Sequence, residues 1–302
     1  MAPACPRRGP HATVLLPPDP APKLAPPLPP ACLSHSPDDL DLLRELRNDD
    51  KLIPFVGSGL SRPLGLPSWS ELIDLVAEQL EYDPAVFKVN GNELQLAEYY
   101  VAAKGSIGPL RSVMDKAFNP RDEDIARSRA HIALVDMHLP LIYTTNYDEI
   151  IERAFELRGQ PCHAIANIDD IVRAPRNVTQ VVKFHGTFSD DASLVLTESS
   201  YFERLEFESP LDIKLRADTL GHSLLFVGYS LNDVNIRYLL YKLHKLRQAV
   251  KRTGRIMPSA FLTTFGTGEI QRTLLAQWGV SIIELDPVDK SRSVDEFLEA
   301  LV

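Results

Sequence analysis

The sequence predicts an α/β fold built on a mostly parallel sheet that helices cover on both faces. Short apolar runs, typical of buried strands, alternate with segments in which apolar residues recur at helical spacing. Strands separated by helices in this way favour parallel pairing within one sheet. The predicted strands are residues 52–56, 139–144, 181–185, 224–228, 259–263 and 281–285. Such an arrangement is Rossmann-like.

The long interval between the first two strands predicts a helical insert. The interval from about residue 70 to residue 136 contains helical repeats such as Leu72, Val76 and Leu80, and no convincing strand. Because a simple crossover is much shorter, we expect an extra group of helices after the first strand. Within that strand, Pro54 lacks an amide donor and suggests that the strand begins late.

Length and composition predict one domain behind a proline-rich leader. The chain has 302 residues, 44% of them hydrophobic, so it can bury a sizeable core, and we expect residues 37–302 to form the domain. Residues 1–36 hold almost half of the 24 prolines, and proline neither nucleates a helix nor joins a sheet interior. We predict a disordered, polyproline-prone leader there, with a start site further downstream as the alternative.

Charge, hydropathy and cysteines exclude several classes of protein. The net charge of −9 has the wrong sign for wrapping a phosphate backbone, so direct nucleic-acid binding is not expected. The sequence has neither a membrane-spanning apolar stretch nor a signal peptide. Cys5, Cys32 and Cys162 form no C-x-x-C pair, which disfavours disulfides and a zinc site. We therefore expect a cytoplasmic protein without membrane contact and without a metal.

A glycine-rich turn directly follows the first predicted strand. It reads Gly57-Ser58-Gly59-Leu60-Ser61, and two glycines let a backbone approach a pyrophosphate whose charge is met by amide groups at a helix start. The dinucleotide fingerprint would have a third glycine at position 62, where this chain has arginine, so a standard dehydrogenase fits poorly. Taken alone, the turn is equally compatible with a purely structural role.

Polar clusters follow three further predicted strands. Residues 144–148 read TTNYD, residues 183–186 read KFHG and residues 228–233 read GYSLND. Because parallel strands end at one edge of a sheet, we expect these clusters and the glycine turn to lie together, at the edge where ligands bind in such folds.

Five short motifs give the chain a resemblance to a known family. G-S-G-L-S, G-L-P at residues 65–67, T-T-N-Y-D, H-G and G-Y-S occur in that order. This series resembles the sirtuin-like domains, and specifically the divergent bacterial branch that hydrolyses NAD in antiviral defence. The resemblance covers roughly residues 45–285 and implies NAD as the substrate.

The resemblance also implies roles for individual residues. The cofactor-binding residues would be Gly57, Ser58, Gly59, Ser61, Trp69, Thr144, Asp148, Gly228 and Ser230. By the family pattern, the glycine turn lies on the NAD phosphates and the residues after the strand 224–228 line the adenosine half. Asp148 would hold the nicotinamide carboxamide. Asn146 would orient a water or the nicotinamide ribose, and His185 would be the general base.

The chemistry of nicotinamide release suits these residue types. Breaking the nicotinamide–ribose bond gives the ribose oxocarbenium character, so the site needs positioning, dry walls and a group that handles one proton. A histidine, with an ordinary pKa near 6.5, can take that proton at neutral pH, typically worth about 10²- to 10⁴-fold in rate. Asn146 can hold a water because its amide both donates and accepts, and Trp69 can shield the cation.

Structural interpretations stand beside these functional ones. A histidine followed by glycine is common in hydrogen-bonded turns, and Asn146, Asp148 and Ser230 precede helices that they could merely cap. Trp69 could be a packing residue. Three further histidines, His131, His138 and His163, show no partner pattern and are interpreted as structural.

Departures from the family pattern decide which reaction we expect. The deacylases of the family carry a zinc ribbon with two C-x-x-C pairs, which this chain lacks, and they have Gln, Asp and Arg where this chain has Thr145, Ser68 and Ser70. Water is then the expected acceptor, so that NAD gives nicotinamide and ADP-ribose. The alternatives are an NAD-dependent deacylase, an ADP-ribosyltransferase, or a non-catalytic sensor of NAD or ADP-ribose. The resemblance further implies a homo-oligomer, with a HerA-type ATPase or an Argonaute-like protein as partner.

Overall fold

The computed structural model describes residues 37–206, 208–229, 234–248 and 260–302. Their core is a seven-stranded sheet in the order β3-β4-β2-β1-β5-β6-β7, and every recorded strand pair is parallel. The strands are β1 (Leu52–Val56), β2 (Leu141–Thr144), β3 (Cys162–Ile165), β4 (Thr179–Lys183), β5 (Ser223–Val227), β6 (Ala260–Thr264) and β7 (Val280–Glu284). The predicted Rossmann-like α/β fold is thereby confirmed.

Helices cover both faces of the sheet, as the sequence predicts. One apolar cluster joins the first face to α1 (Pro37–Asn48), α7 (Arg129–Asp136), α8 (Ile150–Leu157) and α14 (Lys290–Glu299). A second joins the other face to α11 (Pro210–Thr219), α12 (Val234–Gln248) and α13 (Glu269–Gln277). Two further helices follow outer strands: α9 (Ile168–Arg173) after β3, and α10 (Glu198–Glu206) after β4.

The predicted helical insert after the first strand is also present. It consists of α2 (Trp69–Gln79), α3 (Pro84–Val89), α4 (Glu93–Lys104), α5 (Gly108–Ala117), α6 (Asp122–Ile125) and the α7 already described. Helices α2 to α5 pack around a third apolar cluster, which includes Tyr147 and Phe188 from the connections that follow β2 and β4. The insert is therefore fastened to the segments that carry the polar motifs.

Two expectations about the strands differ from the structure. The edge strand β3 has no counterpart among the predicted strands, because its first three residues are only partly buried or exposed and give no apolar run. Pro54 does not delay β1, which begins at Leu52. The amide of Gly57 points toward β5. Because successive residues of a strand direct their amides to opposite sides, the Pro54 nitrogen faces β2. The paired register of β1 with β2 comprises Phe55 and Val56, so β1 forms without a donor at Pro54.

Other expectations concern the chain outside the sheet. The predicted leader, residues 1–36, lies outside the described residues. Within the described part of the chain, no helix has the length and apolar character that crossing a membrane requires.

Candidate active site

The strand order reverses beside β1, and glycines let the chain segments after β1 and β5 come into close contact there. β1 lies between β2 and β5, and the ends of β1 and β5 are joined by backbone hydrogen bonds, from the Gly57 amide to the Val227 carbonyl (2.8 Å) and from the Gly59 amide to the Gly228 carbonyl (3.0 Å). Gly228 has a φ of +80°, and a Cβ added there would lie 2.7 Å from both the Gly57 oxygen and the Leu60 nitrogen. A side chain at position 228 would force the two strand ends apart.

Three predicted site residues form a buried hydrogen-bonded group beside this turn. The Thr144 hydroxyl donates to the Val56 carbonyl (2.9 Å) and accepts from the Asn146 amide (3.0 Å). The Asn146 side-chain amide donates to the Ser61 hydroxyl over 3.4 Å. All three side chains are buried. The glycine turn after β1 and the TTNYD segment after β2 are therefore in direct contact.

The loop between Ser61 and α2 is held by its own polar contacts. The Arg62 guanidinium contacts the Glu71 carboxylate (2.6 Å) and the Leu66 carbonyl (2.7 Å). Ser68 caps α2 and forms a capping box with Glu71. Hydrogen bonds from the Ser68 backbone and hydroxyl, and then from Arg62, lower the pKa of Glu71 to about 2. This carboxylate therefore stays charged and braces the G-L-P loop.

Trp69 begins α2 and packs against the insert. Its ring centroid lies 6.5 Å from that of Tyr147, and the side chain packs partly buried on the third apolar cluster. These contacts are those of a packing residue, and they position one face of the ring near the TTNYD segment. Ser230 lies outside the described residues.

Asp148 is buried at the start of α8. Its Oδ1 accepts the Ile150 amide (3.1 Å), so the carboxylate does cap the helix. Burial raises the pKa of Asp148 to about 6, although the charge of Lys183 acts in the opposite direction. A carboxylate with this pKa changes charge just below neutral pH, which a fully exposed aspartate does not.

His185 follows β4 in a half-buried position beside α10. Its Nδ1 lies 3.4 Å from the Tyr201 hydroxyl, and the two rings meet edge to face with centroids 5.2 Å apart. Burial, and then the positive charge of Arg204, lowers the pKa of His185 to about 3. Arg204 stacks over the Phe184 ring (4.5 Å) and donates to the Phe184 carbonyl. His185 is therefore a neutral imidazole at physiological pH.

The glycine after His185 is required by the next loop. Gly186 has a φ of +88°, and a Cβ added there would lie 2.2 Å from the Ser193 carbonyl oxygen. The His185 carbonyl also accepts the Val195 amide (2.9 Å). The imidazole is therefore held on a rigid turn rather than on a mobile loop.

A cleft of about 1350 Å³ opens at the carboxyl edge of the sheet. Its walls come from the glycine turn, the start of α7, the end of β6 and the start of α14, and they include Ser58, Gly59 and Gly228. Asn146, Asp148 and His185 do not line it. Of the predicted phosphate- and adenosine-side residues, Ser58, Gly59 and Gly228 therefore line the open cleft, whereas the predicted nicotinamide-side residues lie outside its walls. Among the described residues, no cluster of histidine, cysteine and carboxylate side chains could hold a metal ion.

Several residues of this site were missed by sequence reasoning. The Tyr229 hydroxyl donates to the Val56 carbonyl and lies 2.9 Å from the Thr145 hydroxyl, so it bridges β1, β2 and β5. Tyr201 and Arg204 reach His185 from α10, a helix whose sequence has no motif. Lys183 is fully buried at the end of β4, and a lysine directly after two buried valines was a signal that could have revealed it.

The comparison with known families fits this architecture. Residues 140–283 match the family model of the SIR2-like domain. This part of the chain is similar to SIR2-like domains. The T-T-N-Y-D, H-G and G-Y-S motifs fall inside the matched residues, so the resemblance inferred from the motifs is confirmed.

Two curated proteins illustrate what the chain is similar to. NAD(+) hydrolase ThsA of Bacillus cereus (strain MSX-D12) is 28% identical over 217 residues, covering 71% of this chain and 44% of the relative. Defense-associated sirtuin 2 of Bacillus subtilis is 28% identical over 216 residues, covering 68% of this chain and 20% of the relative. A crystal structure of a Sir2 homologue in complex with NAD aligns with a TM-score of 0.49 at 15% identity, covering 89% of this chain and 94% of that one. The chain thus spans less than half the length of these two curated relatives.

Proposed function

We propose that this protein is an NAD glycohydrolase, which cleaves NAD to nicotinamide and ADP-ribose. The observation that carries the proposal is the buried Ser61–Thr144–Asn146 group, which joins the glycine turn after β1 to the segment after β2. The neighbouring strand β4 is followed by His185, a neutral histidine. The strand order β4-β2-β1-β5 brings these groups to one sheet edge. ThsA relatives, which carry the name NAD(+) hydrolase, support the same activity.

The phosphates of NAD would lie on the glycine turn. Ser58, Gly59 and Leu60 form a short 3-10 helix after Gly57 and line the open cleft, and an anion is favoured where a helix begins. Gly59 and Ser61 complete this turn, Thr144 braces it from β2, and Gly228 allows its close approach to β5. Ser230 would extend the adenosine side.

The enclosed part of the site would hold the nicotinamide ribose. When the C1′–N bond breaks, nicotinamide leaves with the bonding electron pair and the ribose carbon becomes cationic. Asn146 would position the water that attacks C1′, and His185 would accept its proton. Because water bound to such a cation is strongly acidic, even a weakly basic imidazole serves. Asp148 would accept a hydrogen bond from the carboxamide, and Trp69 would shield the cation.

The direct test is to incubate the purified protein with NAD and quantify nicotinamide and ADP-ribose by chromatography. Equal amounts of the two products, formed without an acyl-lysine peptide, are expected. Nicotinamide release that requires an acyl-lysine peptide, or ADP-ribose bound covalently to a protein, would move the assignment to a deacylase or a transferase. Tight NAD binding without any product would indicate a sensor.

The biological setting belongs to the same proposal. An enzyme that consumes a central cofactor needs control, so we propose that it acts in antiviral defence in the cytoplasm as a homo-oligomer. A HerA-type ATPase or an Argonaute-like protein is the proposed class of partner. The NAD assay, repeated over a range of protein concentrations with light scattering, relates activity to assembly.

The rate of nicotinamide release should fall as the pH is lowered through about 6. The pKa of Asp148 is about 6, so its carboxylate becomes protonated below that pH and loses the negative charge that strengthens its hydrogen bond from the carboxamide. We expect about a tenfold loss per pH unit in this limb. His185, with a pKa of about 3, remains neutral throughout.

The matched variant is Asp148→Asn, whose side-chain oxygen can still cap Ile150. This variant should be slower at neutral pH and should show a flat profile between pH 5 and 7. An unchanged acid limb in Asp148→Asn would assign the titration to another group.

A further inference from the structure

One buried cation near the site has no part in the chemistry described above. Lys183 is the last residue of β4, and its side chain is 1% exposed. Lysine is rarely buried to this extent without a specific partner. Its ammonium group has two partners, because it donates to the backbone carbonyl of Asp148 and lies 3.2 Å from Oε1 of Glu152.

These two partners belong to the segment that follows β2. Asp148 lies in the connection between β2 and α8, and Glu152 lies in the first turn of α8. The same connection carries Asn146. Lys183 itself precedes His185 by two residues, on the neighbouring strand. A single ammonium group therefore joins the Asn146–Asp148 turn to the end of β4, which His185 follows.

Fold stability alone does not explain this arrangement. Removing an ammonium and a carboxylate from water costs several kcal/mol, and a well-packed apolar pair of similar size is often as stable or more so. The pairing here is also incomplete, because Oε2 of Glu152 is buried without a hydrogen-bond partner among the residues that the structure describes. What an apolar pair could not supply is a donor for the Asp148 carbonyl. A turn without that donor would leave a peptide group free to rotate.

Acidic groups surround the ammonium group of Lys183. Two carboxyl groups face it, those of Asp148 and Glu152, and both interact with it electrostatically. From β3, Cys162 contributes a thiol whose pKa is raised to about 11 by burial and then by Glu152. The thiol is therefore neutral and does not compete for the ammonium.

We propose that Lys183 is a positioning residue, which holds the Asn146–Asp148 turn in a fixed position relative to the end of β4 and to His185, which follows it. Two measurements test this role. The first, kcat for nicotinamide release, rests on the proposed NAD hydrolysis, and the second, amide hydrogen exchange, does not. The residue acts through the Asp148 carbonyl, so it touches neither NAD nor the attacking water.

The test uses the double variant Lys183→Met/Glu152→Met, which removes both charges together and leaves no unpaired buried carboxylate. We expect kcat for nicotinamide release to fall by at least about tenfold while KM changes by less than about threefold, because small misplacements of reacting groups mainly affect turnover. Hydrogen exchange of the amides in residues 145–150 should accelerate, while exchange in β6 stays unchanged. The matched control is Arg158→Met/Asp136→Met, which removes a 2.8 Å ion pair that also involves α8 and should alter neither readout.

The variant Glu152→Gln removes the ion pair with Lys183 but leaves the contact between Lys183 and the Asp148 carbonyl. Its result does not depend on whether the double variant folds. It keeps the donor for Asp148, so kcat and the exchange of residues 145–150 should stay within about twofold of wild type. A loss in Glu152→Gln as large as in the double variant would overturn the proposal, as would unchanged exchange in a folded double variant. If the wild type releases no nicotinamide, the proposed function fails while the exchange measurement still decides the role of Lys183.

Discussion

Replacing His185 by alanine is expected to lower the rate of nicotinamide release by about 10²- to 10⁴-fold, with little change in NAD affinity. The imidazole is neutral because burial and Arg204 hold its pKa at about 3, so it can accept a proton at any pH at which the protein is handled. It contributes no charge to binding, and its ring is only half buried. The variant should therefore lose proton transfer while the glycine turn still binds the phosphates.

Single-turnover nicotinamide release and calorimetric NAD binding separate these two effects. The matched control is His163→Ala on the edge strand β3, where the imidazole Nε2 lies 3.1 Å from the Asp170 carbonyl. This control should retain full turnover. Full turnover in a folded His185→Ala protein would remove His185 from the mechanism, and equal losses in both variants would indicate a general effect on the fold.

The sequence was most informative where strand ends carry short polar motifs. The position of Asn146 after β2 and of Gly228 after β5 followed from the rule that parallel strands share a carboxyl edge, and the structure brings their segments to β1 as expected. The helical insert was predictable because its length exceeds that of a crossover. These inferences use periodicity and spacing, which a single sequence records.

The residues that were missed reach the site across long sequence separations. Tyr229 bonds to Val56, 173 residues away, and Arg204 approaches His185 from a helix with no motif. The burial of Lys183 depends on Glu152, which alone reads as an ordinary acidic residue at a helix start. The strand β3 was missed because an edge strand buries little apolar surface. Such features depend on tertiary contacts rather than on local patterns.

Gly228→Ala is expected to destabilise the fold and to abolish NAD binding at the same time. A Cβ at this position would lie 2.7 Å from two backbone atoms of the glycine turn, which cannot rotate away as a side chain could. Overpacking of this kind costs about 1–3 kcal/mol, and a non-glycine residue at a φ of +80° adds about 1–2 kcal/mol. We expect the free energy of unfolding to fall by about 2–5 kcal/mol, and NAD binding to be lost at the same time.

Urea unfolding and NAD titration of the same preparation test this prediction. Gly221→Ala is the matched control, because Gly221 lies just before β5 and a Cβ there meets no atom of the described residues within 4 Å. The control should remain within about 0.5 kcal/mol of wild type and should bind NAD normally. If Gly228→Ala loses stability but still binds NAD tightly, the contact between β1 and β5 is structural and the phosphates lie elsewhere in the cleft. If Gly228→Ala loses both stability and NAD binding while Gly221→Ala is unaffected, NAD binds at the turn where the strand order reverses.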